Sequence, residues 1–375
     1  MAGIYIHIPF CKKRCTYCDF YTEVAPQLIP NLIESIVKEL HIRKNFLQNK
    51  TISTIYFGGG TPSILNKDQF QLIFDAIDAI YTVADNAEIT FEANPDDLTT
   101  DFLESVCLLP FNRISIGIQS FDDTDLKRIN RRHSGKEAIA AVKNAQKAGF
   151  NNISIDLIYG LPNQTLAAWE KQIDTALTLN VQHISAYGLT YEEGTALWKQ
   201  REQGKVRTVD DDIMNEMYLL LIEKIESNGF EAYEISNFAR PNYRSQHNTS
   251  YWKQQPYIGV GPSAHSYNLT SRQWNVSSIT TYTKAIAENA PFLDSETLSV
   301  NDRYNDYVMV SLRTSEGIDT ALLEKEFDIE FKDYCLQNAQ KFIETNKVNY
   351  SNGRLYLNLQ GIQISNLIIM DLMRV

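Results

Sequence analysis

Three cysteines near the start of the chain have a spacing suited to an iron–sulfur cluster. Cys11, Cys15 and Cys18 follow the pattern C-x3-C-x2-C within the run HIPFCKKRCTYCDFYT. Three thiolates on one short loop can bind three irons of a [4Fe–4S] cluster and leave the fourth iron open to a small molecule. The spacing therefore favours a cluster that supports chemistry at its open iron.

Two other uses of these cysteines remain open from spacing alone. A structural zinc takes four nitrogen or sulfur ligands as a rule, and His7 or Asp19 could serve as the fourth. A disulfide ranks last, because the chain has five cysteines and no signal-peptide pattern. The order of preference is a cluster, then zinc, then a disulfide.

Other candidate site residues stand at the ends of apolar, strand-like runs. Gly59, Gly60 and Thr61 follow one run, and glycine lets a backbone approach a ligand closely. Glu92 ends the run EITFEA, where an unpaired carboxylate is costly, so it is predicted to bind a cation. Asp156 lies in ISIDLIYG, and a ribose diol is one fitting partner. The alternatives are a tight turn for the glycines and a capped strand end for Glu92.

Two further polar residues have the same ambiguity. Gln119 ends the run SIGIQ, where it either faces a ligand or closes a strand. Arg131 lies in the locally basic run KRINRR, which is either a solvated helix end or an anion pocket.

Two histidines are candidates for binding a metal porphyrin. His247 lies in QHNTSYW, and His265 follows in GVGPSAH. A histidine beside tyrosine and tryptophan can ligate a haem iron while the aromatic rings stack on the porphyrin. On this chemistry alone, an ordinary buried histidine with aromatic packing is the preferred interpretation.

Composition limits the classes of partner. The 375 residues are 43% hydrophobic and 22% charged, which is typical of a globular protein. The net charge of −11 argues against a nucleic-acid partner bound through a general basic surface. No apolar run reaches the roughly 18 residues of a membrane span. We therefore expect a cytoplasmic protein with at most peripheral membrane association.

Short strand-like runs alternate with amphipathic helical stretches over the first half of the chain. This alternation predicts βαβ units and a parallel sheet. Because the candidate site residues follow the carboxyl ends of the strands, a partial (β/α)6 barrel is favoured over an open sheet. The predicted strands are 4–8, 54–57, 88–91, 113–118, 153–158 and 183–189. The predicted helices between them are 28–46, 67–81, 99–108, 123–148 and 166–179.

The second half of the chain has a different pattern. A helix over 208–228 is followed by an irregular, aromatic-rich stretch to about residue 282. Helices at 302–313, 320–326 and 331–345 and a hairpin over 348–359 then predict a small, winged-helix-like α+β unit. We predict a barrel over 1–230, an aromatic-rich segment packed on it over 231–290, and a C-terminal domain over 291–375.

The ordered motifs resemble a known family. YIHIPFCKKRCTYCDF, GGGTP, EANP, SIGIQSF and DLIYGLP, spread over roughly residues 3–190, resemble the radical S-adenosylmethionine superfamily in its anaerobic coproporphyrinogen oxidase-like branch. Oxygen-independent coproporphyrinogen III oxidases of that branch have a further cysteine where this chain has Phe20. HNTSYW is similar to the HNxxYW motif of the branch's haem chaperones.

The resemblance implies a haem chaperone that binds haem and transfers it to acceptor haem proteins, with respiratory proteins as one class. The alternative is an oxygen-independent coproporphyrinogen III oxidase, which decarboxylates propionate side chains by radical chemistry. Whether the chain is an enzyme is left open, and a homodimer is allowed.

The resemblance also implies roles for individual residues. Cys11, Cys15 and Cys18 would hold the cluster, whose open iron binds S-adenosylmethionine. Positions that match contacts to this S-adenosylmethionine are Tyr5, Gly59 and Glu92. Positions that match contacts to a second one in the oxidase are Tyr17, Gly60, Thr61, Gln119, Arg131 and Asp156. His247 is the candidate haem contact, with His265 as the second candidate. Asn130 stands where relatives often have glycine.

Overall fold

Six strands at the centre of the fold alternate between side chains that face the hydrophobic core and side chains that face the other side of the sheet. The structure is a computed structural model that describes residues 2–374. Along the first strand, Ile4, Ile6 and Ile8 are fully buried in the main hydrophobic core. The side chains between them, Tyr5 and His7, point to the opposite face, because successive strand residues alternate in direction. One face of the sheet is therefore apolar and the other is polar.

The structure has fifteen strands and fifteen α-helices in the described residues. The strands are β1 Ala2–Ile8, β2 Thr51–Gly59, β3 Thr82–Ala93, β4 Arg113–Gln119, β5 Ile153–Tyr159, β6 His183–Gly188, β7 Glu231–Ala232, β8 Asn237–Ala239, β9 Tyr257–Val260, β10 His265–Tyr267, β11 Ser271–Asn275, β12 Leu293–Thr297, β13 Ile318–Asp319, β14 Val348–Ser351 and β15 Arg354–Leu357. The helices are α1 Ile29–Ile42, α2 Lys67–Asp78, α3 Thr100–Val106, α4 Asp123–Arg128, α5 Gly135–Lys147, α6 Leu166–Thr178, α7 Ala196–Glu202, α8 Asp211–Ser227, α9 Gln246–Trp252, α10 Ile279–Glu288, α11 Val300–Ser311, α12 Thr320–Phe327, α13 Ile329–Glu344, α14 Leu359–Gln363 and α15 Ser365–Leu372.

The large sheet has the order β12-β11-β10-β9-β1-β2-β3-β4-β5-β6-β8-β7. Strands β1 to β6 are parallel and adjacent in chain order. At the ends of this parallel run, β1 pairs with β9 and β6 pairs with β8. This mostly parallel sheet, with helices between its parallel strands, confirms the predicted α/β class.

Two predictions of secondary structure are wrong. The stretch after 228 is not irregular: it forms the short strands β7 to β11 and two helices. Strands of two to five residues are too short to show a periodic pattern. The predicted helix over 123–148 is two helices, α4 and α5. Asn130 breaks it with a left-handed φ of 64°, and Ser134 begins α5 through a capping box with Glu137.

The buried carboxylate of Glu39 on helix α1 binds the segment that runs from β9 to α10. The fully buried carboxylate of Glu39 pairs with the Arg43 guanidinium at 2.9 Å. It also accepts hydrogen bonds from the Gly261 N–H, the Asn275 Nδ2 and the Tyr282 hydroxyl. These partners lie in or beside the segment that runs from β9 to α10, so Glu39 holds that segment to the parallel core.

Glu39→Ala is therefore expected to lower the free energy of unfolding by about 3–5 kcal/mol, since it leaves the Arg43 charge buried without its partner. Urea denaturation followed by circular dichroism measures this change. Glu34→Ala, on the exposed face of the same helix, is the matched control and should change it by less than about 0.5 kcal/mol. Equal losses in the two variants would contradict the role of Glu39.

The C-terminal residues form a second hydrophobic core. Helices α11, α12, α13 and α15 surround the small antiparallel sheet β13-β15-β14, with Tyr304, Leu323 and Leu355 fully buried between them. Strands β14 and β15 form the predicted hairpin, and its turn residues Asn352 and Gly353 both have positive φ. The division at 230 and 290 stays a prediction. Within residues 2–374, no helix is both long and apolar enough to cross a bilayer.

Candidate functional site

The polar face of strands β1 to β6 forms an open concavity at its carboxyl end. Tyr5 lies beside Tyr56, and Gly117 lies beside Asp156, across adjacent strands. These four residues and Glu92 remain partly exposed although their strands are central in the sheet. Solvent therefore reaches the polar groups on this face, and a ligand at this end of the concavity would contact them.

The cysteine loop lies at this carboxyl end. Cys11, Cys15 and Cys18 are free and half-buried in the loop that follows β1. The Thr61 hydroxyl donates to Cys11 Sγ at 3.4 Å, and Arg131 Nη1 donates to Cys15 Sγ at 3.5 Å. Two residues predicted from distant motifs therefore meet the cysteines, and both donate hydrogen bonds that suit a thiolate.

The donor set of the loop fits a [4Fe–4S] cluster. Burial raises the pKa of Cys11, and it raises the pKa of Cys18 to about 11, so these two cysteines are neutral thiols that iron would deprotonate on binding. No three His, Cys, Asp or Glu side chains within residues 2–374 surround a single metal-ion position. In a cluster, the cysteine sulfurs bind different irons and need not converge on one point.

The glycine segment packs directly against β1 and the cysteine loop. A Cβ on Gly59, whose φ is 105°, would lie 2.5 Å from the His7 ring. A Cβ on Gly60 would lie 2.7 Å from the Phe10 carbonyl oxygen and 2.8 Å from that of Ile8. Close packing explains both glycines, and it also brings their backbone to the edge of the concavity beside the cysteines.

Glu92 is placed to bind a cation in the concavity. Its carboxylate accepts hydrogen bonds from the Tyr56 hydroxyl at 2.7 Å and the Gly59 N–H at 3.2 Å. Burial raises the pKa of Glu92 to about 7, and the nearby Asp156 charge also raises it. A bound ammonium group would offset the cost of ionising this carboxyl. Glu92, Tyr5 and Gly59 lie in one part of the concavity, and the ligand that they would share stays a prediction.

Arg131 connects the cysteine loop to the next strands. Its guanidinium donates to the Gly117 carbonyl and to Asn94 Oδ1, and Asn94 Nδ2 donates to the Thr61 hydroxyl at 3.1 Å. Asn130 supplies the left-handed turn before Arg131, a conformation that asparagine and glycine both tolerate. Asn94 is a site residue that sequence reasoning missed, although it lies in the quoted EANP motif.

The other predicted residues line the same concavity. Tyr17 is half-buried beside Cys15 and Arg131, and desolvation raises its pKa. Gln119 has a φ of 68° at a register shift in β4, which turns it away from regular strand geometry. Asp156 accepts a hydrogen bond from the Ser115 hydroxyl at 3.4 Å, and burial raises its pKa. Their roles toward a ligand stay predictions.

His247 lies at the opposite, amino end of the concavity and is 1% exposed. Its Nδ1 contacts the Thr54 hydroxyl and its Nε2 contacts the Tyr251 hydroxyl, each at 2.8 Å. Its ring stacks on Tyr56 at a centroid distance of 4.9 Å. Ligation of a haem iron would require one of these hydrogen bonds to break and the site to open. The structure thus favours the buried-histidine interpretation over direct haem contact.

The motif QHNTSYW forms helix α9, which closes the floor of the concavity. Glu88 on β3 accepts hydrogen bonds from the backbone N–H groups of Gln246 and His247, at 3.0 and 2.9 Å. These N–H groups begin the helix and have no partner within it. Through the His247–Tyr56 stack and the Tyr56–Glu92 hydrogen bond, the floor supports the predicted cation-binding carboxylate.

His247→Ala is expected to lower the free energy of unfolding by about 2–4 kcal/mol, because it removes a packed ring and leaves the Thr54 and Tyr251 hydroxyls unpaired. His41→Ala, an exposed position on helix α1, is the matched control. Thermal and urea unfolding measure the difference. Equal stability of the two variants would show that His247 is not a structural part of the floor.

The comparisons with known proteins agree with this architecture. Residues 5–176 match the Radical SAM superfamily model, and residues 298–364 match the HemN C-terminal domain model. The coproporphyrinogen III oxidase HemN of Escherichia coli has a similar fold, with a TM-score of 0.86 over 99% of this chain and 90% of that chain, at 22% identity.

Two bacterial relatives are similar over nearly their whole length. The "Heme chaperone HemW" of Bacillus subtilis is 32% identical over 98% of this chain and 97% of the relative. The protein of the same name from Mycobacterium tuberculosis is 31% identical over 99% of this chain and 94% of the relative. Superfamily membership implies a [4Fe–4S] cluster and S-adenosylmethionine. The chain belongs to the HemW family within the radical S-adenosylmethionine superfamily.

Proposed function

We propose that this protein binds haem and transfers it to acceptor haem proteins, with respiratory haem proteins as one class of acceptor. The observation that carries the proposal is the similarity to heme chaperones over nearly the full chain. Phe20 supports it, since an exposed phenylalanine stands where the resemblance leads us to expect a further cysteine in the oxidase.

The cluster and S-adenosylmethionine are proposed to bind at the carboxyl end of the concavity. Cys11, Cys15 and Cys18 would hold the cluster, with Thr61 and Arg131 donating hydrogen bonds to its sulfurs. Bound there, the cluster and S-adenosylmethionine would supply one-electron chemistry. The carboxylate of Glu92 would hold the amino group of S-adenosylmethionine, and Tyr5 and Gly59 would enclose it.

A second candidate function is oxygen-independent coproporphyrinogen III oxidase. The polar residues that match contacts to a second S-adenosylmethionine, among them Gln119, Arg131 and Asp156, all lie at the concavity. The fold similarity to HemN adds no support for the activity at 22% identity.

One experiment separates the two functions. Anaerobically reconstituted protein with S-adenosylmethionine and a reductant is divided, and one half is titrated with haem while the other receives coproporphyrinogen III. Saturable haem binding without formation of protoporphyrinogen is the expected result. Formation of protoporphyrinogen without saturable haem binding would instead show a decarboxylating oxidase.

A further inference from the structure

The histidines of this chain differ in their exposure to solvent. It has six, of which four are buried and two, His41 and His265, are exposed. A haem that arrives from solvent needs an imidazole that it can reach. Because His247 is enclosed and engaged at both ring nitrogens, the accessible histidines are the better candidates for an iron ligand.

The two exposed histidines differ in their surroundings. His41 lies on the outside of helix α1, where Nδ1 contacts the Val37 carbonyl at 2.9 Å. His265 lies on strand β10, and its ring nitrogens make no hydrogen bond to any part of the chain between residues 2 and 374. Partial burial lowers the pKa of His265, so the neutral imidazole that binds iron predominates at pH 7.

Trp274 orients the His265 ring. The two residues are direct partners across the antiparallel pair β10–β11. Their rings stack with centroids 6.3 Å apart and an interplanar angle of 28°. Cross-strand aromatic pairs of this kind restrict side-chain rotamers. The Trp274 ring therefore lies beside one face of the imidazole and leaves its nitrogens open to a ligand.

Strand register places His265 on the same face of the sheet as the concavity. Gly3 pairs with Tyr257, and Tyr257 pairs with Tyr267, so their side-chain positions share a face. Tyr5 and His265 are each two residues from a member of this row and therefore lie on that face as well. The contact between the Tyr251 and Tyr257 rings, 4.6 Å apart, joins this row to the concavity floor.

The same register places His265 at the end where the cysteine loop lies. Strand β9 runs parallel to β1, and a Cβ on Gly261, just after β9, would meet the His7 carbonyl at 2.5 Å. The chain then turns back, and β10 begins at His265. Helix α11 covers the other end of β10–β11 through an Arg272–Asp306 ion pair. His265 is exposed, and it lies next to the carboxyl end of the concavity, where the cysteine loop is.

We propose that His265, stacked on Trp274 beside the carboxyl end of the concavity, is the axial ligand through which this chain binds haem. The proposal rests on the proposed haem-chaperone function and names the ligand for it. It assigns the HNTSYW motif to the floor of the concavity and the haem contact to the β10–β11 strand pair.

Spectroscopy of ferric haem bound to the full-length, cluster-containing protein tests this proposal, with difference spectra to remove the cluster absorption. His265→Ala should raise the Kd for haem by at least about tenfold and abolish the histidine-ligated spectrum. His265→Cys should replace that spectrum with one of thiolate ligation, and added imidazole should restore binding to His265→Gly. His41→Ala, the matched exposed control, should leave affinity and spectrum unchanged.

Each other outcome overturns a defined part of the account. An unchanged spectrum and affinity in His265→Ala and His265→Cys, with saturable binding by the unmodified protein, would overturn the His265 assignment alone. Loss of the histidine-ligated spectrum in a folded His247→Ala variant, with His265→Ala unaffected, would return the contact to His247. No saturable binding by the unmodified protein would overturn the haem-chaperone function together with this site.

Discussion

Replacing any one of Cys11, Cys15 and Cys18 with alanine is expected to reduce the iron and acid-labile sulfide of the reconstituted protein to background. In the proposed site each thiolate would bind one iron, and the loop has no further cysteine that could replace a missing one. Iron and sulfide analysis with the absorption spectrum measures the loss. The effect is large because the remaining two thiolates cannot retain the cluster.

Cys107→Ala is the matched control for these variants. Cys107 is exposed near the end of helix α3, and its thiol donates to the Ala148 carbonyl at 3.3 Å. This variant should keep the full content of iron and sulfide. One zinc per chain without sulfide in the unmodified protein would contradict the cluster and support a structural zinc site.

Glu92→Gln is expected to weaken binding of S-adenosylmethionine by at least about tenfold, since a charged hydrogen bond to an ammonium group contributes roughly 1.5–3 kcal/mol. Isothermal titration of the cluster-containing protein under anaerobic conditions measures the affinity. Glu104→Gln, at an exposed carboxylate on helix α3, is the matched control and should leave it unchanged. Equal affinities of the two variants would exclude Glu92 from the ligand site.

The same substitution should raise the stability of the ligand-free protein at high pH. The pKa of Glu92 rises from an ordinary value near 4.5 to about 7, mainly through burial. The folded protein therefore holds a proton in this interval that the unfolded chain has released. The contribution of this group to stability is present below about pH 4.5 and is lost as the pH rises through 7.

Glu92→Gln removes that dependence. Relative to the unmodified protein, its free energy of unfolding should increase by on the order of 1–3 kcal/mol between pH 5 and pH 8. Urea denaturation at the two pH values measures this difference. If the difference in free energy of unfolding between the two proteins is the same at both pH values, the surroundings of Glu92 do not raise its pKa.

The architecture and the cysteine loop could be predicted from local pattern. Alternating apolar residues such as Ile4 and Ile6 mark strands, and parallel strands bring their carboxyl ends together. This is why residues as distant as Cys15, Thr61 and Arg131 meet in the structure. Strand positions place the cysteine loop and the glycine segment at this end, whereas Arg131 was assigned to it through the resemblance to the family's motifs.

The rest depends on contacts between distant parts of the chain. Glu39 was not predicted as an anchor, because its partners Gly261 and Asn275 lie more than 200 residues away. Strands β9 and β10 are too short for a periodic pattern. His247 and His265 look alike in the sequence, and only folding buries the former under Tyr56 while leaving the latter exposed.

The central claim is that this chain carries haem and delivers it. The most direct measurement loads the anaerobically reconstituted protein with haem, removes the free haem, and adds an apo-globin whose own haem spectrum reports transfer. The account predicts a spectrum of the filled globin that appears at the rate at which the chaperone loses its haem. Haem that stays bound to this chain, or that never binds to it saturably, would contradict a delivery function.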